Sequence, residues 1–393
     1  MFIGEKLTDI RLLHGYSRSE LARILGVTEQ SIWQYENNYN GPKLEIVNRM
    51  KDLFHVKVKY FYEPRSVKKK IDSSRVAYRC KEISSPMKTK YEAAHLEHIE
   101  GLLDLFEQEV VYPTNRLADL RKYAIKFMTE HHESLSVTES IRHIAEYART
   151  AIGIEERNDR LLFLLEKNGA FIFEKSLIES VDAYSVWSER DRPIIMLGRL
   201  KKSAVRRNFD LSHELGHLLL HSGIDMSELT KTEHQQLENE ANEFAAYFLL
   251  PPIEFEADLE SVHKISNPDS YVELKKKWQV SIQVMARQAY RLNKMTYEQH
   301  RYFYASMNRL KYMQSEPLDQ EIKLIRPGKV RSSLKFLFEN NLSSVEALMD
   351  LTLFDDVLLS RILGLDEDFL EAYKKEAESN LNVMPLERRK KVR

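Results

Sequence analysis

Apolar positions recur three and four residues apart along most of the chain, a spacing that predicts a mainly α-helical protein. In the first sixty or so residues, four or five short helical patterns are punctuated by Gly15, Gly26 and the Gly41-Pro42 pair, so this part reads as a small compact module. Farther on, Tyr91, His95, Leu96, Ile99, Leu102, Leu103 and Phe106 share one helical face. That helix is predicted to end near Tyr112-Pro113, because the residue before a proline avoids helical geometry. Helices follow at about 115–131 and 137–152. Between Leu161 and Leu200 the period changes: the helical RLLFLLEK stops at Asn168-Gly169, and AFIFE and PIIML read as short strands of a small sheet. Two strongly apolar helices are predicted at roughly 208–221 and 233–249, the second stopped by Pro251-Pro252, and short helices fill the rest.

A chain of 393 residues, 43% hydrophobic and 30% charged, is long enough for two or three domains with proper cores. Lys and Arg total 59 against 60 Asp and Glu, which excludes a binder that relies on a global basic excess; DNA contact would come from a local surface. The single cysteine, Cys80, leaves His and carboxylates as the ligands for any metal site. With no secretory pattern in MFIGEKLTDIRLL and no apolar run of membrane-spanning length, a cytoplasmic protein without a membrane partner is expected. Arg65, Lys68, Lys69, Lys70, Arg75 and Arg79, with Asp72 as the one acid among them, form a basic linker, and the run Arg388 to Arg393 reads as a solvated terminus. The expected organisation is a module at 1–63, a basic linker at 64–87, a helical spacer at 88–136, an α+β domain at 137–300 and a helical C-terminal region at 301–393.

In SRSELARILGVTEQSIWQYE, Leu21 and Ala22 face inward from one helix, Gly26 permits a tight turn, and Val27, Ile32 and Tyr35 point back from the next. Thr28 is placed to cap that second helix, leaving Glu29, Gln30, Ser31 and Gln34 on its outer side. Gln pairs bidentately with adenine, and Ser and Thr bond bases or phosphates, so Thr28, Glu29, Gln30, Ser31 and Gln34 suit a major groove. The segment from Met1 to about Glu63 resembles the Xre and lambda-repressor-like helix-turn-helix family, including the stretch from Glu36 to Pro42. Asn38 stands where a glycine is usual and tolerates the same left-handed backbone. The resemblance implies a double-stranded DNA operator as partner. Charge within the module is nearly balanced, so affinity calls for a homodimer or the basic linker.

FDLSHELGHLLLH carries His213, Glu214 and His217 as H-E-x-x-H on a predicted helix. One helical turn separates the two imidazoles by about 6 Å along the axis, so both can hold one zinc ion, with Glu214 beside them to handle a water. Gly216 leaves room close to the helix backbone. His221 continues the register but stands about 12 Å from His213 in a straight helix, so it supports the site without ligating. A leucine run replaces the glycine that a three-histidine site needs, which points to a carboxylate from the next helix, QQLENEANEFAAYFLLP. Glu238 shares the face of Ala241, Ala245, Phe248 and Leu249, whereas Glu240, Glu243 and Tyr247 form a polar stripe. Glu238 is therefore expected as the third ligand, Glu240 as a solvated charge, and Asn242 as the partner of a liganding histidine.

The order PIIML, RRNFDLSHELGHLLLH, ENEANEFAAYFLLPP resembles the ImmA/IrrE family of zinc metallopeptidases, and SIRHIAEYARTAIGI with LLEKNGAFIFE extends the likeness over roughly 137–255. The Glu238-to-Asn242 spacing also resembles gluzincin-type peptidases, in which an aspartate is more usual at the second place. The implied fold is mainly α: a helix-turn-helix bundle, an α+β zincin-like domain with a small sheet, and a helical C-terminal region. The implied function is a DNA-binding regulator that cleaves a repressor, another partner or itself in a stress, DNA-damage or mobile-element response. In that reading Glu214 is the base, Pro193–Leu197 an edge strand that holds substrate, and Tyr184 or His221 an oxyanion donor. The alternative is a metal domain acting as a sensor or scaffold without turnover. A metabolic hydrolase would waste a complete reading helix.

Overall fold

A computed structural model describes residues 1–64, 86–175, 183–198, 203–224, 229–366 and 368–374. Lys68, Lys69 and Lys70 of the basic linker and the terminal basic run lie outside the described residues. The chain divides into two compact units.

The first unit begins with helices α1 (Gly4–Leu13), α2 (Arg18–Leu25), α3 (Glu29–Glu36) and α4 (Leu44–Phe54) and a 3-10 turn at Val58–Phe61. Ser17 and Glu20 close a reciprocal capping box on α2, and Gly26 ends it in the left-handed region at φ 68°. Leu7, Ile10, Leu21, Leu25, Ile32, Val47, Met50 and Phe54 fill the centre. Asn38 adopts φ 59°, as its side chain permits, and its Oδ1 accepts the Gly4 N–H at 2.8 Å. Gly4 is held so closely that a Cβ would lie 2.2 Å from the Glu36 carbonyl oxygen.

Helix α5 (Pro86–Phe106) ends at Phe106 rather than near Pro113. The apolar face runs out there, and Glu107, Gln108 and Glu109 are exposed in a turn closed by Val110 N–H on the Phe106 carbonyl at 2.8 Å. Loss of a face to bury, not the proline, stops this helix.

The second unit, described over 112–329, places helices α6 (Arg116–His131), α7 (Val137–Ile152) and α8 (Leu161–Lys167) before three strands, β1 (Phe171–Lys175), β2 (Ala183–Trp187) and β3 (Pro193–Gly198). Sheet order is β1-β3-β2, with β3 parallel to β1 and antiparallel to β2. The PIIML strand is thus central, not an edge; its continuous apolar run belongs to a strand buried on both faces. Helices α9 (Ala204–Leu220), α10 (Lys231–Leu249), α11 (Pro252–Leu259), α12 (Val272–Trp278), α13 (Ile282–Arg291) and α14 (Tyr297–Arg309) follow. One core runs from Leu117 on α6 through Ile195 on β3 and Leu215 on α9 to Met307 on α14.

After α15 (Lys329–Glu339), helices α16 (Val345–Thr352) and α17 (Asp356–Leu363) pack in the first unit. A β-bridge joins Val56 to Phe354, and Lys57 N–H donates to the Leu353 carbonyl at 2.8 Å. His55 Nδ1 lies 2.9 Å from Asp355 Oδ2, Lys57 pairs with Asp350, and His95 Nε2 lies 3.1 Å from the Ile362 carbonyl. The stretch 301–393, read from the sequence as one region, therefore divides between the units.

Candidate metal centre

Two helices build the centre. Helix α9 buries Leu211, Leu215, Leu218 and Leu219, which turns His213, Glu214 and His217 inward as well. Helix α10 crosses it at Gly216, where a Cβ would meet the Phe244 ring at 3.1 Å and Ala241 Cα at 3.3 Å. A Cβ at 216 would require the Phe244 ring and the Ala241 backbone to give by a few tenths of an ångström.

The Nε2 atoms of His213 and His217 are 3.1 Å apart. Glu238 lies 3.3 Å from His217 through Oε1 and 3.5 Å from His213 through Oε2, and ligand atoms of all three residues fall within 4.8 Å of one another. Bond lengths of about 2.0–2.1 Å around a tetrahedral zinc ion put ligand atoms about 3.3 Å apart. The two nitrogens and the carboxylate trace that edge length, so the donor set fits zinc in chemistry and spacing. Burial alone would raise the Glu238 carboxyl, but hydrogen bonds from His213 and His217 hold it well below the ordinary carboxylate range.

The outer nitrogens are also engaged. His213 Nδ1 lies 3.0 Å from Asn242 Oδ1, the contact expected of Asn242. His217 Nδ1 lies 2.9 Å from His221 Nδ1, and His221 Nε2 lies 3.1 Å from Glu240 Oε2. Both ring nitrogens of His221 are thereby occupied, which removes it as an oxyanion donor. Glu240, expected as a solvated charge, has a side chain only 15% exposed. Along this stripe His221 meets Glu240, Thr138 of α7 donates to Glu243 at 3.2 Å, and Tyr247 is buried. Burial opposes ionisation of Glu240, yet bonds from His221 and Gln236 bring its carboxyl below the ordinary value.

The sheet holds α9 in place through residues that sequence reasoning missed. Ser185 Oγ donates to the Glu214 carbonyl at 3.1 Å, and Trp187 Nε1 donates to the Leu218 carbonyl at 2.9 Å. The Arg121 guanidinium lies 4.0 Å from the Trp187 ring centre. Strand alternation then puts Tyr184 on the opposite face of the sheet from α9, away from the oxyanion position proposed for it. The signal available was AYSVW, a β-rich run with a lone polar residue at its centre.

In the first unit, Thr28 caps α3 by accepting the Ser31 N–H. Thr28, Glu29 and Gln30 are exposed, whereas Ser31 and Gln34 are half-buried, and Gln34 Oε1 accepts from Asn40 Nδ2 at 3.2 Å. Trp33, overlooked in the sequence, is exposed beside them and stacks on Tyr39 with ring centres 5.1 Å apart. Glu36 is buried, its two oxygens each 2.5 Å from the Nε of Arg11 and Arg18.

Residues 7–61 match the family described as helix-turn-helix, and residues 165–290 match the family described as IrrE N-terminal-like domain. The chain thus joins an Xre-like helix-turn-helix domain to an ImmA/IrrE-like, metallopeptidase-like domain. It is 45% identical over 51 residues, 13% of this chain and 16% of the relative, to a candidate HTH-type transcriptional regulatory protein of Pyrococcus abyssi. A similarly named protein of Thermococcus kodakarensis is 22% identical over 207 residues, 52% of this chain and 60% of the relative. The matches cover less than two thirds of these relatives' own lengths. Among the described residues, no helix is long and apolar enough to cross a membrane.

Proposed function

We propose that this chain is a DNA-binding transcriptional regulator whose second unit is a zinc-dependent endopeptidase, acting on a repressor, another partner protein or the chain itself. The observation that carries the reading is the triangle of His213, His217 and Glu238, with Glu214 adjacent in sequence to the first ligand. When bound, zinc supplies Lewis acidity and an acidified water at this place. The Glu214 carboxylate takes the proton of the attacking water and returns it to the amine nitrogen as the C–N bond breaks, so the water is consumed and no other reactant is needed. Asn242 and His221 keep the two imidazoles oriented. With β3 central, β2 is the strand beside α9 that has an open edge among the described residues, and a substrate peptide would pair there.

The helix-turn-helix unit supplies address. Gln30 and Gln34 are assigned to base edges, and Thr28 and Ser31 to phosphates or bases, on an operator that two copies of the chain would share. The controlling signal would be stress, DNA damage or the state of a mobile element.

The deciding experiment is metal analysis of the purified protein followed by incubation with the repressor encoded beside its gene. Wild type should cleave it and Glu214→Gln should not. A zinc-loaded wild type that binds operator but leaves every candidate repressor intact would instead establish the sensor or scaffold reading.

A further inference from the structure

His217 can present the Nε2 lone pair to an ion only if its proton sits on Nδ1. That proton faces His221 Nδ1 at 2.9 Å, so His221 Nδ1 must accept and its own proton must lie on Nε2. His221 Nε2 in turn faces Glu240 Oε2 at 3.1 Å, and a carboxylate accepts without conflict. Glu240 is itself oriented, because Gln236 Nε2 donates to its other oxygen at 2.9 Å. Each link admits one proton arrangement once Nε2 of His217 is committed. The second histidine ligand differs, since His213 Nδ1 meets the uncharged Asn242 Oδ1 at 3.0 Å. One ligand is therefore backed by a neutral amide and the other, through an intervening imidazole, by a full negative charge.

We propose that Glu240 is a positioning residue for the metal centre, acting through His221 to fix the tautomer and raise the basicity of His217. The proposal rests on the zinc reading of His213, His217 and Glu238. Helical spacing alone puts Glu240 off the ligand face. It meets His221, which follows the last residue of α9 and keeps its N–H on the His217 carbonyl at 3.1 Å. Removing a group that supports a liganding histidine typically costs about 10–100-fold in metal affinity.

The test is zinc affinity of the full chain, measured by competition with a chromophoric chelator, together with 15N NMR of the imidazoles in the zinc-loaded protein. Glu240→Ala should weaken zinc binding about 10–100-fold. Its His217 and His221 signals should lose the single proton arrangement seen in wild type. Glu240→Gln, whose carbonyl still accepts from His221 but carries no charge, should fall between Ala and wild type. Glu243→Ala, half-buried on the same helix and paired with Arg291, is the control and should bind zinc as wild type does. Wild-type affinity and unchanged imidazole signals in both Glu240 variants would overturn the proposal while leaving the zinc reading intact. A wild-type chain that takes up no zinc would overturn the zinc reading, and this proposal with it.

Discussion

His213 and His217 point their Nε2 atoms at each other across 3.1 Å, with the Glu238 carboxylate closing the third side. Two nitrogen lone pairs at that distance repel unless a proton or a cation lies between them. Zinc should therefore stabilise the second unit, raising its thermal midpoint, and a chelator should reverse the gain. His213→Ala and Glu238→Ala should each lose tight binding, measured by equilibrium dialysis. Full zinc occupancy in Glu238→Ala would reassign the third ligand.

Glu214 separates chemistry from binding. Glu214→Gln should retain zinc and fold yet reduce peptide cleavage by at least about 10²-fold, because an amide neither accepts the water's proton nor delivers it. Cleavage by this variant at the wild-type rate would remove Glu214 as the base.

Operator selection from random duplexes, with wild type and a Gln30→Ala, Gln34→Ala double variant, tests the reading helix. Specificity should relax while the salt dependence of binding stays close to wild type, since neither glutamine neutralises a phosphate. Neutralising Lys68, Lys69 and Lys70 should do the reverse and flatten that dependence. An unchanged consensus in the glutamine variant would move base reading elsewhere, with Trp33 the adjacent candidate.

Glu36 is 1% exposed and Arg11 5%, so the pair is dry. Glu36→Ala would strand the Arg11 charge in the core and cost about 3–5 kcal/mol of the first unit's stability. Urea unfolding gives the value directly; a loss below about 1 kcal/mol would show the guanidinium finding another partner.

Burial brings the His14 imidazole down to about 4, and nearby Arg361, His55 and His98 add to the effect against the Ile10 carbonyl. In the unfolded chain the ring takes up a proton near its ordinary 6.5. The native state thus binds fewer protons below that value, and stability falls as pH drops from about 6.5 towards 4, by roughly 3 kcal/mol at most. His14→Gln should flatten this part of the stability profile. An NMR titration midpoint for His14 near 6.5 would remove the effect.

Local spacing determined much of this protein. Capping of α3 by Thr28, the left-handed Asn38, the helices at 116–131 and 137–152 and the place of Glu238 and Asn242 on the apolar face of α10 all follow from spacing within single elements. Chemistry of that range is carried by the chain itself. Tertiary structure decided the rest. PIIML, expected at an edge, is central because β1 and β2 flank it, and strand order is a long-range choice. Glu240 reads as solvent-facing until His221, at the end of α9, is brought against it. Tyr184 reads as near the site until Ser185 is seen to face the helix. The docking of Leu353, Phe354 and Asp355 on His55, Val56 and Lys57 joins residues some 300 positions apart. No periodicity records such a pairing, since it depends on surfaces that exist only after each helix has formed and buried its own face.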